Sequence, residues 1–187
     1  MRTSPPSPMP SPRRGPRTVS NSALVVLIGA PGAGKTRTGK RLARILGAPL
    51  IDTDKLIVEE HGPISEIFAT YGEPHFRALE RAAVMRALGE PAIVTLGGGA
   101  VLDTDTQSDL KSLPVVQLTV SKEAVASRIA GDKRPLLASG GVDAWASLVA
   151  VRQPIYDAIS HLTIDTSHQP LEGVATQIAH WLETEHA

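Results

Sequence analysis

Gly29-Ala30-Pro31-Gly32-Ala33-Gly34-Lys35-Thr36 sets two glycines, a lysine and a hydroxyl at the spacing G-x-x-x-x-G-K-[ST]. Glycine is needed there because backbone N–H groups must turn inward and approach phosphate oxygens with no Cβ in the way. Lys35 can then reach the β- and γ-phosphates, and the Thr36 hydroxyl can take a Mg²⁺ position. From average residue usage, the four fixed positions coincide by chance in fewer than about one chain in a hundred of this length. A glycine-rich turn with an incidental lysine is the bland alternative. The segment names a nucleoside triphosphate and leaves its use open. Guanine-reading switches of this type carry Asn-Lys-x-Asp, and the only asparagine here is Asn21. A GTPase switch is therefore disfavoured, and a small-molecule kinase leads.

Other residues could complete such a site. Asp52 and Asp54 flank Thr53 where an apolar run ends, and alternation on an extended segment would point both carboxylates the same way. Asp52 suits waters around Mg²⁺, and Asp54 suits a substrate hydroxyl; the competing view is that Asp54 caps the next helix. Arg77 and Arg152 suit a carboxylated substrate, because a guanidinium fork pairs bidentately with a carboxylate. Taken singly, each could equally be a solvated helix charge or a partner for Glu73 or Glu80. Glu80, one turn after Arg77, is placed to hold its guanidinium. Gly97-Gly98-Gly99 lets a ligand lie against bare backbone, whose N–H groups become donors; a flexible loop is the alternative. Residues 130–141 are polar and glycine-bounded, read as a mobile lid from which Arg134 delivers charge to the γ-phosphate. Lys133 could substitute for it. The six histidines lack close ligand spacing, which argues against a zinc site.

Together, in this order and spacing, these motifs resemble the shikimate kinases over about Leu24 to Leu182: the P-loop, Asp52-Thr53-Asp54, Phe68, Gly72-Glu73-Pro74-His75-Phe76-Arg77 with Glu80, Gly97-Gly98-Gly99, Arg134-Pro135-Leu136, and Arg152 with Tyr156. The resemblance implies a P-loop kinase that moves the γ-phosphoryl of ATP to the 3-hydroxyl of shikimate, in aromatic amino-acid biosynthesis. It implies Asp54, Lys35 and Arg134 as catalytic, and Gly32, Ala33, Gly34, Lys35, Thr36, Arg37 and Arg134 as the ATP site. Asp54, Arg77, Gly97, Gly98, Gly99, Arg152, Phe68 and Phe76 would hold shikimate, with core packing the alternative for the two phenylalanines. Mg²⁺ would rest on Thr36 and, through water, on Asp52. A monomeric cytoplasmic enzyme with a small-molecule substrate is expected. The alternatives are another P-loop metabolite kinase, such as a gluconate kinase, or a nucleotide-binding regulator without catalysis.

The elements that must position these residues follow from hydrophobic patterning. Leu24–Ile28, Pro49–Asp52, Ala92–Leu96, Pro114–Val120 and Leu162–Asp165 read as buried strands without inside-outside alternation. Helices are expected over Lys35–Leu46, Asp54–His61, Ile64–Tyr71, Pro74–Leu88, Lys122–Ile129, Ala144–Ile159 and Leu171–Glu185. Strands alternating with helices imply an α/β fold: a three-layer α/β/α arrangement on a five-stranded parallel sheet, with ligands at the carboxyl ends of the strands. A single kinase domain over 23–187 is expected, its substrate segment at about 54–90.

Composition narrows the classes. Nineteen basic and nineteen acidic residues cancel over 187, with no cysteine, which removes disulfides and thiolate metal sites. Arg2, Arg13, Arg14 and Arg17 lie in the first 22 residues, which hold no acid, so the remainder has 15 basic against 19 acidic residues, a net of −4. Such a body does not suit a nucleic-acid backbone, and no apolar run is long enough to span a bilayer. Residues 1–22 hold six of the fifteen prolines and five serines, and read as a disordered leader or an over-long start with Met9 as a second initiator. A transit peptide is weighed and disfavoured, because those prolines break the amphipathic helix it needs.

Overall fold

The computed structural model describes residues 22–129 and 141–185. Five strands, β1 (Val25–Ile28), β2 (Leu50–Asp52), β3 (Ile93–Thr95), β4 (Val115–Thr119) and β5 (Leu162–Asp165), form one parallel sheet in the order β2-β3-β1-β4-β5. Every pairing is parallel, with Val26 opposite Val94 on one side and Val115 on the other. The helices are α1 (Lys35–Leu46), α2 (Thr53–His61), α3 (Ile64–Leu88), α4 (Thr104–Leu110), α5 (Lys122–Ile129), α6 (Gly141–Ile159) and α7 (Leu171–Glu185).

All four residues of β1 are buried because it lies at the centre of the sheet with both faces covered. Val25 and Leu27 pack with Leu42, Val174 and Ile178 on the face carrying α1 and α7. Val26 and Ile28 pack with Val84, Leu110 and Tyr156 on the face carrying α3, α4 and α6. This is the three-layer α/β/α arrangement expected from the pattern.

Differences from the expectation are local. Helix α3 contains a break at Gly72, whose φ of 79° and ψ of 174° no side-chain-bearing residue adopts readily, so the chain bends between the two expected helices there. Two elements went unanticipated, α4 and a single 3₁₀ turn over Ala100–Leu102. Thr104-Asp105-Thr106-Gln107-Ser108-Asp109-Leu110 is too polar and short to show a stripe; what starts α4 is Asp103, whose side chain accepts from the Thr106 N–H at 2.7 Å. Residues 1–21 of the expected leader, residues 1–22, lie outside the described residues, as do Lys133 and Arg134.

Candidate active site

The P-loop joins β1 to α1 and has Gly32 and Gly34 at φ of 86° and 90°. A Cβ at Gly32 would also stand 2.5 Å from Val125 Cγ2, so both the turn and the packing demand glycine. Lys35 Nζ donates to the carbonyls of Gly29 at 2.7 Å and Ala30 at 3.2 Å, lying back across its own loop. The Ala33 N–H closes a turn onto the Ala30 carbonyl, and the Arg37 side chain at the first turn of α1 is exposed.

Two side chains outside the expected site residues brace this loop. Trp145 Nε1 on α6 donates to the Pro31 carbonyl at 2.8 Å. Arg128 on α5 donates to the Gly32 carbonyl at 3.1 Å and to the Thr166 carbonyl at 2.5 Å, tying the loop to the segment after β5. Arginines and tryptophans on isolated helices give no sequence signal of such long-range partners.

Thr36 Oγ1 donates to Asp52 Oδ2 at 2.6 Å. Hydroxyl and carboxylate are hard oxygen donors, the type Mg²⁺ takes together with phosphate oxygens and water, so these residues fit that ion. Among the described residues no group of three or more acidic or histidine side chains could hold a metal by itself. Asp52 also accepts from the Lys55 N–H at 3.3 Å, so it is Asp52, and not Asp54, that caps α2. The two carboxylates do not share one extended segment, contrary to expectation. Only Asp52 is on the strand; Asp54 stands in the first turn of the helix.

Asp54, Arg77 and Arg152 come from three helices and converge on the three glycines. A Cβ at Gly97 would collide with Asp54 Oδ1 and stand 3.0 Å from Glu80 Oε1. At Gly98 it would stand 3.4 Å from Arg152 Nη1 and 3.2 Å from Pro31 Cδ in the P-loop. At Gly99 it would collide with Arg77 Nη1 and stand 3.0 Å from Cζ and Nη2. The glycine-lined floor therefore adjoins the phosphate loop, and both arginines lie against it. One expected donor is already engaged: the Gly97 N–H donates to the buried Thr53 hydroxyl at 3.1 Å.

Arg77 is gripped by carboxylates. Its Nη1 donates to Glu80 Oε2 at 2.6 Å, and its Nε and Nη2 donate to Glu73 Oε1 at 3.1 and 2.9 Å. Burial works against the Arg77 charge, but the bonds and charges of Glu80 and then Glu73 outweigh it and raise its pKa. Glu80 is buried, and burial raises its pKa although Arg77 opposes this. Tyr156 donates its hydroxyl hydrogen to the Gly98 carbonyl at 2.7 Å and receives a hydrogen bond from Arg152, which fixes the second arginine.

Phe68 and Phe76 stack at 4.6 Å between centroids, within a cluster that includes Ile57 and Ile67. Phe76 is only 5% exposed and packs within this cluster.

A family model described as Shikimate kinase matches residues 31–183. The chain belongs to the shikimate kinase family. Members are ATP-dependent small-molecule kinases, and the P-loop and sheet described above are those of this family. Shikimate kinase of Thermobifida fusca is 44% identical over 164 residues, spanning 86% of this chain and 95% of that protein. A solved structure, shikimate kinase from Acinetobacter baumannii in complex with shikimate, superposes with a TM-score of 0.81 at 30% identity, covering 88% of this chain and 94% of that one. A gluconokinase from Sinorhizobium meliloti superposes with a TM-score of 0.58 at 20% identity, covering 91% of this chain and 100% of that one, a likeness of fold alone.

Proposed function

We propose that this chain phosphorylates the 3-hydroxyl of shikimate, with Asp54, Arg77 and Arg152 holding the substrate over Gly97, Gly98 and Gly99. The observation that supports this most is their convergence on a glycine floor that also touches Pro31 of the phosphate loop. A carboxylated polyol seated there has guanidinium groups for its acid and a carboxylate for its hydroxyls.

Asp54 accepts the proton of the attacking hydroxyl. The freed oxygen forms a bond to the γ-phosphorus as the bond from that phosphorus to the β–γ bridging oxygen breaks, and ADP leaves with those electrons. Lys35, released from the Gly29 and Ala30 carbonyls, turns to the phosphates. The loop of Gly32, Ala33, Gly34, Lys35, Thr36 and Arg37 carries the triphosphate. Thr36, and Asp52 through water, would hold Mg²⁺, which would supply neutralisation of phosphate charge. Arg134, assigned to the γ-phosphate, and residues 130–140 of the expected lid lie outside the described residues, and residues 54–90 form the substrate segment of a single domain over 23–187. Catalysis is positioning and charge stabilisation, without a covalent enzyme intermediate. The enzyme works as a cytoplasmic monomer on a small molecule, with no nucleic-acid or membrane partner; no described helix is long and apolar enough to cross a membrane.

A coupled assay of ADP release with shikimate, quinate and gluconate tests this. Turnover is expected with shikimate, stopped by EDTA and restored by excess Mg²⁺. Preference for gluconate would assign the other kinase class, and no stimulation by any of the three would favour the regulator.

A further inference from the structure

Arginine offers a carboxylate two forked edges, Nε with Nη2 and Nη1 with Nη2. In Arg77 both edges already meet protein carboxylates. One oxygen of Glu73 takes Nε and Nη2, and Glu80 takes Nη1. The Phe76 ring, 5.4 Å from Cζ, and Gly99 cover much of what remains. A substrate carboxylate arriving here meets a cation with two anions already attached. For that carboxylate to pair with a whole forked edge, one of them has to yield its place.

The two glutamates differ in how readily they can. The Glu80 side chain is 5% exposed and would have no water to replace its bond to Arg77. The Glu73 side chain is 61% exposed, follows the Gly72 bend, and recovers full hydration by rotating outward. We infer that Glu73 is an affinity-setting residue, an internal carboxylate that occupies the Nε–Nη2 edge of Arg77 in the free protein and is displaced to solvent by the substrate's carboxylate. Glu73 thus lowers affinity for every small anion, and only a ligand with further contacts on the Asp54, Arg152 and glycine side overcomes it. Simple anions are kept off an arginine that would otherwise collect them.

This rests on the reading of Arg77 as the carboxylate partner, and the experiment separates the two. Steady-state constants are measured for the full chain and for Glu73→Gln and Arg77→Ala, with shikimate, its uncharged carboxamide and ATP, and with acetate as inhibitor. Glu73→Gln should lower the shikimate KM by about two- to fivefold, the range expected for removing an exposed competing ion pair. It should leave kcat, the carboxamide KM and the ATP KM unchanged, and it should strengthen inhibition by acetate against shikimate. A KM that rises or stays level in Glu73→Gln, while Arg77→Ala raises it, overturns the inference and leaves the carboxylate reading standing. If Arg77→Ala leaves the shikimate KM unchanged, the carboxylate reading itself falls, and this inference with it.

Discussion

The Gly97 N–H donates to the Thr53 hydroxyl across 3.1 Å, and that hydroxyl, fully buried, donates onward to the Thr95 carbonyl at 3.4 Å. Thr53 thereby ties the start of α2 to the end of β3, and the next residue, Asp54, is set against Gly97. Thr53→Val keeps the shape and removes the hydroxyl, leaving a buried N–H without a partner, at a cost of about 1–3 kcal/mol. We expect that loss in urea unfolding, together with a fall in kcat larger than any rise in KM. Thr53→Ser should recover most of both. Equal kcat in Thr53→Val and the unaltered protein would show that Thr53 does not position Asp54.

Gly97 and Gly99 lie under different side chains, so adding one methyl should separate their effects. Gly99 has φ of −97°, which alanine tolerates, and the atoms a methyl would strike are the tip of Arg77. Gly99→Ala should raise the shikimate KM about tenfold or more with ATP KM unaltered, since a displaced guanidinium loses a charge-assisted contact. Gly97→Ala strikes the short Asp54 carboxylate and should act chiefly on kcat. Indistinguishable kinetic profiles for the two variants would count against separate roles.

Glu80 has its pKa raised by burial, opposed by the Arg77 hydrogen bond and charge. A raised native pKa means the folded protein holds this proton more tightly than the unfolded chain. The resulting stabilisation is fully present below the ordinary carboxylate pKa and is lost as pH rises through the raised native value. Relative to Glu80→Gln, the unaltered protein should therefore lose stability across that window and run parallel to the variant on either side. Urea midpoints over a pH series measure this, and a constant offset would refute it. Arg77→Met should move the Glu80 titration, followed by carboxyl NMR, still higher.

Arg128 joins the Gly32 carbonyl to the Thr166 carbonyl, and so joins the phosphate loop to the segment after β5. Arg128→Ala should raise the ATP KM by about tenfold, the size expected for losing hydrogen bonds from a charged donor. The shikimate KM should hold steady. A selective effect on shikimate would place Arg128 elsewhere in the mechanism.

Local chemistry settled much of this protein in advance. The P-loop spacing, the five apolar runs of strand length and the stripe along Leu171–Glu185 each depend on neighbours in the chain, so one sequence displays them. The pairing of Glu80 with Arg77 was legible for the same reason, since three positions on a helix make one turn. Thr53, Trp145 and Arg128 were different. Their partners lie 44, 114 and 96 residues away, and only the closing of the sheet brings them together. The same holds for which edge of Arg77 is occupied and by which carboxylate, because hydration sets how easily Glu73 or Glu80 lets go, and burial is decided by the packed chain alone.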